Sequence, residues 1–261
     1  MGVEQAFIPY TAETCPPPGN VLVLAPHPDD EVFACGGAIM RHVAQNDEVH
    51  CLLATDGSAA IVHENETAKQ AYIQLRRQES VEAAKVLAYQ HISHWDIADR
   101  ALVFNEKQVA ALLKLIHDTQ ATRVYAPSLH EIHPDHYALA QIACAAVSRC
   151  GAAVTLCMYE VGVPLNPNYL LDITDLLEKK HQAIHCFASQ LQLNDYTRHM
   201  ESLNAYRCYT LPAHITAAEA FFCLDGETLK RHPELHYGSS RQSHALQSQK
   251  GLVQYLKQFF N

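Results

Sequence analysis

The chain has no C-x-x-C pair, no apolar run near the ~18 residues of a membrane span, and no cluster of lysine and arginine. Its nine cysteines are odd in number and scattered, which excludes a thiolate zinc site and gives no disulfide framework. They read as small buried apolar side chains. Residues Met1 to Asn20 lack the apolar core of a secretory signal, so the reading is cytoplasmic, with no membrane span. A formal charge of -9 without a basic footprint excludes nucleic acid and anionic membrane as main partners, and leaves a small molecule. Glycine is sparse, at ten residues, and Gly36-Gly37 read as close helix packing rather than a G-x-G-x-x-G fingerprint. No repeat, low-complexity tract or linker is visible, so all 261 residues are read as one domain.

What is present is an alternation of short β-rich runs with longer helical segments, the pattern of βαβ units and a mostly parallel sheet flanked by helices. Strands are expected at Val21 to Ala25, Val49 to Ala54, His91 to Trp95, Arg123 to Ala126 and Ala153 to Val161. Helices are expected at Glu31 to Gln45, Lys69 to Ala88 and Glu106 to Thr119, with another after His136. These make a core of about residues 20–161. A mixed α+β C-terminal extension follows over 162–261, with helices from Thr174 or Asp175 to Gln192 and from Tyr196 to Tyr206. It also includes a short strand at Ala220 to Leu224 and a terminal helix at Ser243 to Phe260.

Ligands of open parallel sheets bind at the carboxyl ends of strands, where strand order reverses. Two clusters fall at such ends: His27-Pro28-Asp29-Asp30-Glu31 after the first strand, and His130 with His133-Pro134-Asp135-His136 after the fourth. Imidazole nitrogens and a carboxylate with one open position are the ligand set of a catalytic zinc. Residues three apart across a helix-initiating turn face the same way, so His27 and Asp30 can bind one ion while Asp29 points elsewhere as a base. Spacing alone leaves His130, His133 and His136 as candidates for the third ligand. An acidic turn before a helix is also what simple N-capping produces, at roughly 0.3–1 kcal/mol. Capping explains one such cluster more readily than two after different strands.

PHPDDE (Pro26 to Glu31), followed about a hundred residues later by HPDH (His133 to His136), resembles the PIG-L/LmbE-type N-acetylglucosaminyl deacetylases. The likeness covers roughly Val21 to Val147, and continues more loosely through YEVGVPLNPN and KHQAIHCFASQ. It implies a Rossmann-like fold in which His27, Asp30 and His136 hold a divalent ion, zinc or another such as Fe2+. It further implies Asp29 as general base, and a charged His133 that stabilises the oxyanion, with Asp135 orienting it. The implied reaction is metal-dependent hydrolysis of the acetamide of an N-acetylated amino sugar or its glycoconjugate, giving acetate and a free amine. An amidase of larger amides such as thiol conjugates, and a non-catalytic saccharide-binding protein, are the competing readings. A homo-oligomer is compatible with all of them.

Substrate-binding candidates are Asp56, Arg76, Arg77 and Glu131. Asp56 ends the second strand, where it can bind sugar hydroxyls or simply form a turn. Arg76 and Arg77 lie where relatives place an arginine near the substrate, and their register is open. Glu131 stands where some relatives have a tyrosine, and Phe187 where relatives often have a histidine. His181 and His185, four apart on a helix, read as a solvated face.

Overall fold

A computed structural model describes residues 8–232. The first strand, β1 (Val21–Ala25), is an unbroken apolar run buried at every position, which is what a central parallel strand covered on both faces requires. The others are β2 (Val49–Thr55), β3 (His91–Ile97), β4 (Arg123–Pro127), β5 (Thr155–Tyr159), β6 (Tyr169–Asp172) and β7 (Ala218–Asp225). They form one sheet in the order β3-β2-β1-β4-β5-β7-β6. The first five strands run parallel, and β7 is antiparallel to both β5 and β6.

The chain builds outward from β1 to β2 and β3, then returns to place β4 on the other side of β1. Strand order therefore reverses between β1 and β4, and the crevice beyond their carboxyl ends is the expected ligand position. Helices α1 (Asp30–Ala44), α2 (Glu66–Leu87) and α5 (Leu177–Ile184) cover one face, over a core that includes Val23, Phe33, Ile39, Leu87 and Ile184. Helices α3 (Glu106–Asp118) and α4 (Pro134–Val147) cover the other, around Leu22, Leu24, Leu112, Leu139 and Ile142. Asn65 and Asn105 cap α2 and α3 by accepting the N–H of Ala68 and Gln108.

The C-terminal extension contributes β6 and β7 to the same sheet. Tyr169-Leu170-Leu171-Asp172 is a strand absent from the sequence reading, because four residues carry too little alternation to register. Short helices follow at α6 (Ala188–Leu191), α7 (Tyr196–Tyr206) and α8 (Gly226–Arg231). The expected strand at Ala153 to Val161 is trimmed to β5, with residues 151–153 in a tight turn. The terminal helix expected at Ser243 to Phe260 lies outside the described residues. Among the described residues, no helix is long and apolar enough to cross a membrane.

Candidate active site

The turn that follows β1 is strained and tightly held. Asp29 has φ 147° and ψ -32°, a region that disfavours a residue with a Cβ. Its N–H donates to Glu31 Oε2 at 3.0 Å. Arg76, from α2 and only 1% exposed, reaches under the turn. Its guanidinium donates to the Pro28 carbonyl, to the Gly57 carbonyl at 3.3 Å and to the Asp29 carboxylate at 3.1 Å. The register question is settled: Arg76 faces the site, while Arg77 points outward and pairs with Asp96 on β3.

Because β1 and β4 are neighbours, the turn after β1 meets the start of α4. His27 Nδ1, Asp30 Oδ2 and His136 Nε2 form a triangle with edges of 3.3, 3.2 and 3.2 Å. A tetrahedral zinc shell with bonds of about 2.0 Å has edges of about 3.3 Å, so these three donors fit a divalent ion. His133 also presents a nitrogen within 4.8 Å of the nitrogens of His27 and His136, a looser set. His130 is exposed and outside the cavity lining.

The surroundings of His27 support the same assignment. Its Nε2 lies 3.2 Å from Asp135 Oδ2 and 3.3 Å from Asp99 Oδ1, leaving Nδ1 to face the triangle. A carboxylate on the far nitrogen of a metal-ligating histidine fixes its tautomer. Burial pushes the His27 pKa down, but hydrogen bonds to Asp135, Asp30 and Asp99 outweigh it and hold the ring well above its ordinary value. A cluster of carboxylates this dense favours a cation at its centre, a metal ion or a protonated His27. Burial likewise raises Asp30, yet His136 and His27 reverse this and hold it below the usual carboxylate range.

Asp135 lies nearer to His27 than to His133. It sits on His27, and also accepts N–H groups of Arg100 and Leu102 at 2.6 and 3.1 Å. It is 4.0 Å from His133 Nδ1. His133 caps α4, its Nδ1 accepting the Asp135 N–H at 3.3 Å, which leaves Nε2 to carry the proton of a neutral ring. Burial, then the nearby His27 and His136, lower the His133 pKa, and the pull of Asp135 and Asp99 does not offset them.

The buried Asp29 carboxylate is shifted toward neutral pH. Burial pushes it up to about 7, Arg76 pulls it down and Asp30 raises it. Glu31 below it is raised to about 8, mainly by burial and then by Asp29.

His27, Asp29, Asp30, Arg76, His133 and His136 line a cavity of about 270 Å³ with Phe33, Asp99, Arg100, Gln190 and Tyr196. Asp56 does not line it: its Oδ1 accepts the N–H groups of Ser58 and Asp99 at 2.9 and 3.0 Å, so it is a turn former. Glu131 does border the cavity, but its Oε1 is committed to the N–H groups of Val161, Gly162 and Val163 at 2.9, 3.0 and 3.3 Å. Its Oε2 stands 3.6 Å from His136 Nδ1. Phe187 is fully buried in the core against Phe33. Asp99, Arg100, Gln190 and Tyr196 escaped the sequence reading, since none belongs to a spaced cluster. The one available signal was that residues 98–105 follow a strand end.

Residues 22–147 match the model of the GlcNAc-PI de-N-acetylase family, PIG-L. The matched segment, a little under half of the chain, resembles that family. Both clusters of the site lie inside the PIG-L segment. Diacetylchitobiose deacetylase of Thermococcus kodakarensis is 27% identical, over 66% of this chain and 70% of that protein. The 4-oxalmesaconate hydratase of Pseudomonas putida is 28% identical, over 69% of this chain and 77% of that protein. The solved N,N'-diacetylchitobiose deacetylase of Pyrococcus horikoshii, bound to an inhibitor, superposes with a TM-score of 0.70 and 25% identity. That match covers 79% of this chain and 84% of the other, so the shared architecture is longer than the segment 22–147.

Proposed function

We propose that this chain is a metal-dependent N-deacetylase of an N-acetylated amino sugar carried on a larger glycoconjugate. The observation that carries the reading is the buried Asp29, poised near neutral pH beside a three-donor triangle of metal-ligand dimensions. His27, Asp30 and His136 would hold a divalent ion, zinc in the first instance. Such an ion polarises an acetamide carbonyl and makes water a better nucleophile at neutral pH. Asp29 accepts the proton that water loses as its oxygen attacks the carbonyl carbon, and returns it to the departing nitrogen. His133 donates a hydrogen bond to the developing oxyanion from a neutral ring. Acetate and a free amine leave.

The size of the substrate follows from what adjoins the cavity. A groove of about 520 Å³ continues past Val161, Gly162 and Tyr196, which border both spaces, and is lined by Pro164, Met200 and Leu203. A free monosaccharide fills the first space; a conjugate with an apolar portion uses both. The hydratase relative supports a second reading, addition of water to an unsaturated anionic substrate. Against it, the described cavity lining holds only Arg76 and Arg100 as lysines or arginines, and Arg76 is committed to the turn.

Acetate release from N-acetylglucosamine, diacetylchitobiose, alkyl N-acetylglucosaminides and thiol-conjugate amides, measured with zinc-loaded protein, tests the proposal. The expected order places alkyl glycosides first. Loss of absorbance from an unsaturated dicarboxylate, with no acetate from any amide, would establish the hydratase instead.

A further inference from the structure

Cys157 and Cys223 are register partners across the antiparallel β5 and β7. The Cys223 N–H donates to Asn168 Oδ1 at 2.7 Å and its carbonyl accepts from Asn168 Nδ2 at 2.8 Å, so both backbone groups face away from β5. The two cysteines thus form a non-hydrogen-bonded pair, in which Cα atoms approach to about 4.5 Å and side chains stand closest. That separation lies within the roughly 4.4–6.8 Å bridged by disulfides. Both residues are free thiols here, with sulfurs 3.1 Å apart. The Arg123 guanidinium lies 3.1 Å from Cys157 Sγ. Cys157 is buried, whereas Cys223 is partly exposed.

We propose that Cys157 and Cys223 are a modification site, a dithiol that exchanges with a low-molecular-weight disulfide to form a cross-strand disulfide. The small disulfide RSSR is the oxidant. Cys223, the partly exposed residue of the pair, whose thiol the Cys157 contact and burial hold well above its ordinary value, loses its proton as it attacks RSSR, giving a mixed disulfide and one RS⁻. The Cys157 thiolate, paired with Arg123, then attacks Cys223 Sγ and expels the second RS⁻. Two protein thiols are oxidised, one RSSR is reduced to two RSH, and the two thiol protons end on them. Burial acts to raise Cys157, but the Cys223 thiol and Arg123 overcome it and hold it below its ordinary value. The bridge would close residues 158–222 into a loop that includes Val161, Gly162, Gln190 and Tyr196 of the cavity wall. It pins that wall to the sheet without touching the metal triangle.

The test is incubation of the full-length chain with 2-hydroxyethyl disulfide, denaturation in N-ethylmaleimide, and peptide mass spectrometry. The expected result is a linked peptide pair containing Cys157 and Cys223 at two hydrogens below the reduced mass, reversed by dithiothreitol. The melting temperature should rise by several degrees in the oxidised form. Cys157→Ser should trap 2-mercaptoethanol on Cys223, and Cys223→Ser should leave Cys157 unmodified. Full alkylation of both residues in the unchanged chain would overturn the proposal. So would a mixed disulfide that persists on Cys223, or a bridge from either residue to Cys15.

Discussion

At Asp29 a carboxylate is asked to be both strained and basic, and the side chains beneath it make this possible. Arg76 favours the ionised form, so removing its charge should raise the Asp29 pKa. Activity needs the ionised form and therefore rises with pH through that pKa. Arg76→Gln is accordingly expected to move the acidic limb of kcat/KM to higher pH, while Arg76→Lys, which keeps the charge but not the fork, leaves the limb near its place and lowers kcat. A limb unmoved in Arg76→Gln would remove Asp29 as its source. Asp29→Asn should retain metal and lose about 10²- to 10⁴-fold in kcat, read at matched metal content. His133 offers a further discrimination. If it works as a neutral donor, His133→Asn should keep more turnover than His133→Ala, for which a loss of about 10²- to 10³-fold is expected. Loss of bound metal in His133→Ala, with retention in Asp30→Ala, would instead make His133 the third ligand.

Individual elements are placed by buried charges as much as by apolar faces. Lys180 of α5 is fully buried and donates to Glu219 of β7 at 2.8 Å and to Asn204 of α7 at 3.1 Å. Glu219 in turn accepts the N–H groups of Gly37 and Ala38 on α1, at 2.7 and 2.8 Å. One carboxylate thereby joins β7, α5 and the helix whose first residue is Asp30. Removing one partner of such a pair strands the other, so Lys180→Met should destabilise the chain by about 3–5 kcal/mol in urea unfolding. Near-native stability would show that the pair is dispensable. A second staple, Arg207 with Glu160, anchors the loop after β5, where Arg207 also donates to the Leu165 carbonyl and Glu160 accepts the Leu165 N–H. With Glu131 gripping residues 161–163, the wall shared by cavity and groove is held from both ends.

On the scale of the molecule, a metal ion bound at His27 would compete with a proton for one place. In the metal-free chain, surrounding carboxylates keep His27 protonated, and an ion at Nδ1 needs it neutral. Zinc uptake at pH 7 should therefore release about one proton, and affinity should weaken as pH falls. Titration calorimetry in buffers of different ionisation enthalpy reads this number directly. Release of none would show that His27 is already neutral, and would leave the carboxylate cluster without its cation.

The sequence by itself determined the alternation of strands and helices through Val147, because hydrophobic period and strand length are local properties. It also determined that His27, Asp29, Asp30, His133 and His136 belong together, since two dense clusters at strand ends have few other uses. Tertiary structure alone decided which partner each side chain takes. Asp135 faces His27 because α4 starts beside β1, Arg76 rather than Arg77 turns inward because of where α2 packs, and Asp56 is consumed by Ser58 and Asp99. Nor does local pattern reveal that Cys157 and Cys223 oppose each other, or that Glu131 holds the loop after β5. Those contacts join residues far apart in the chain, and spacing along a sequence fixes direction only within a turn or a strand. Across a sheet, direction is fixed by strand order and register.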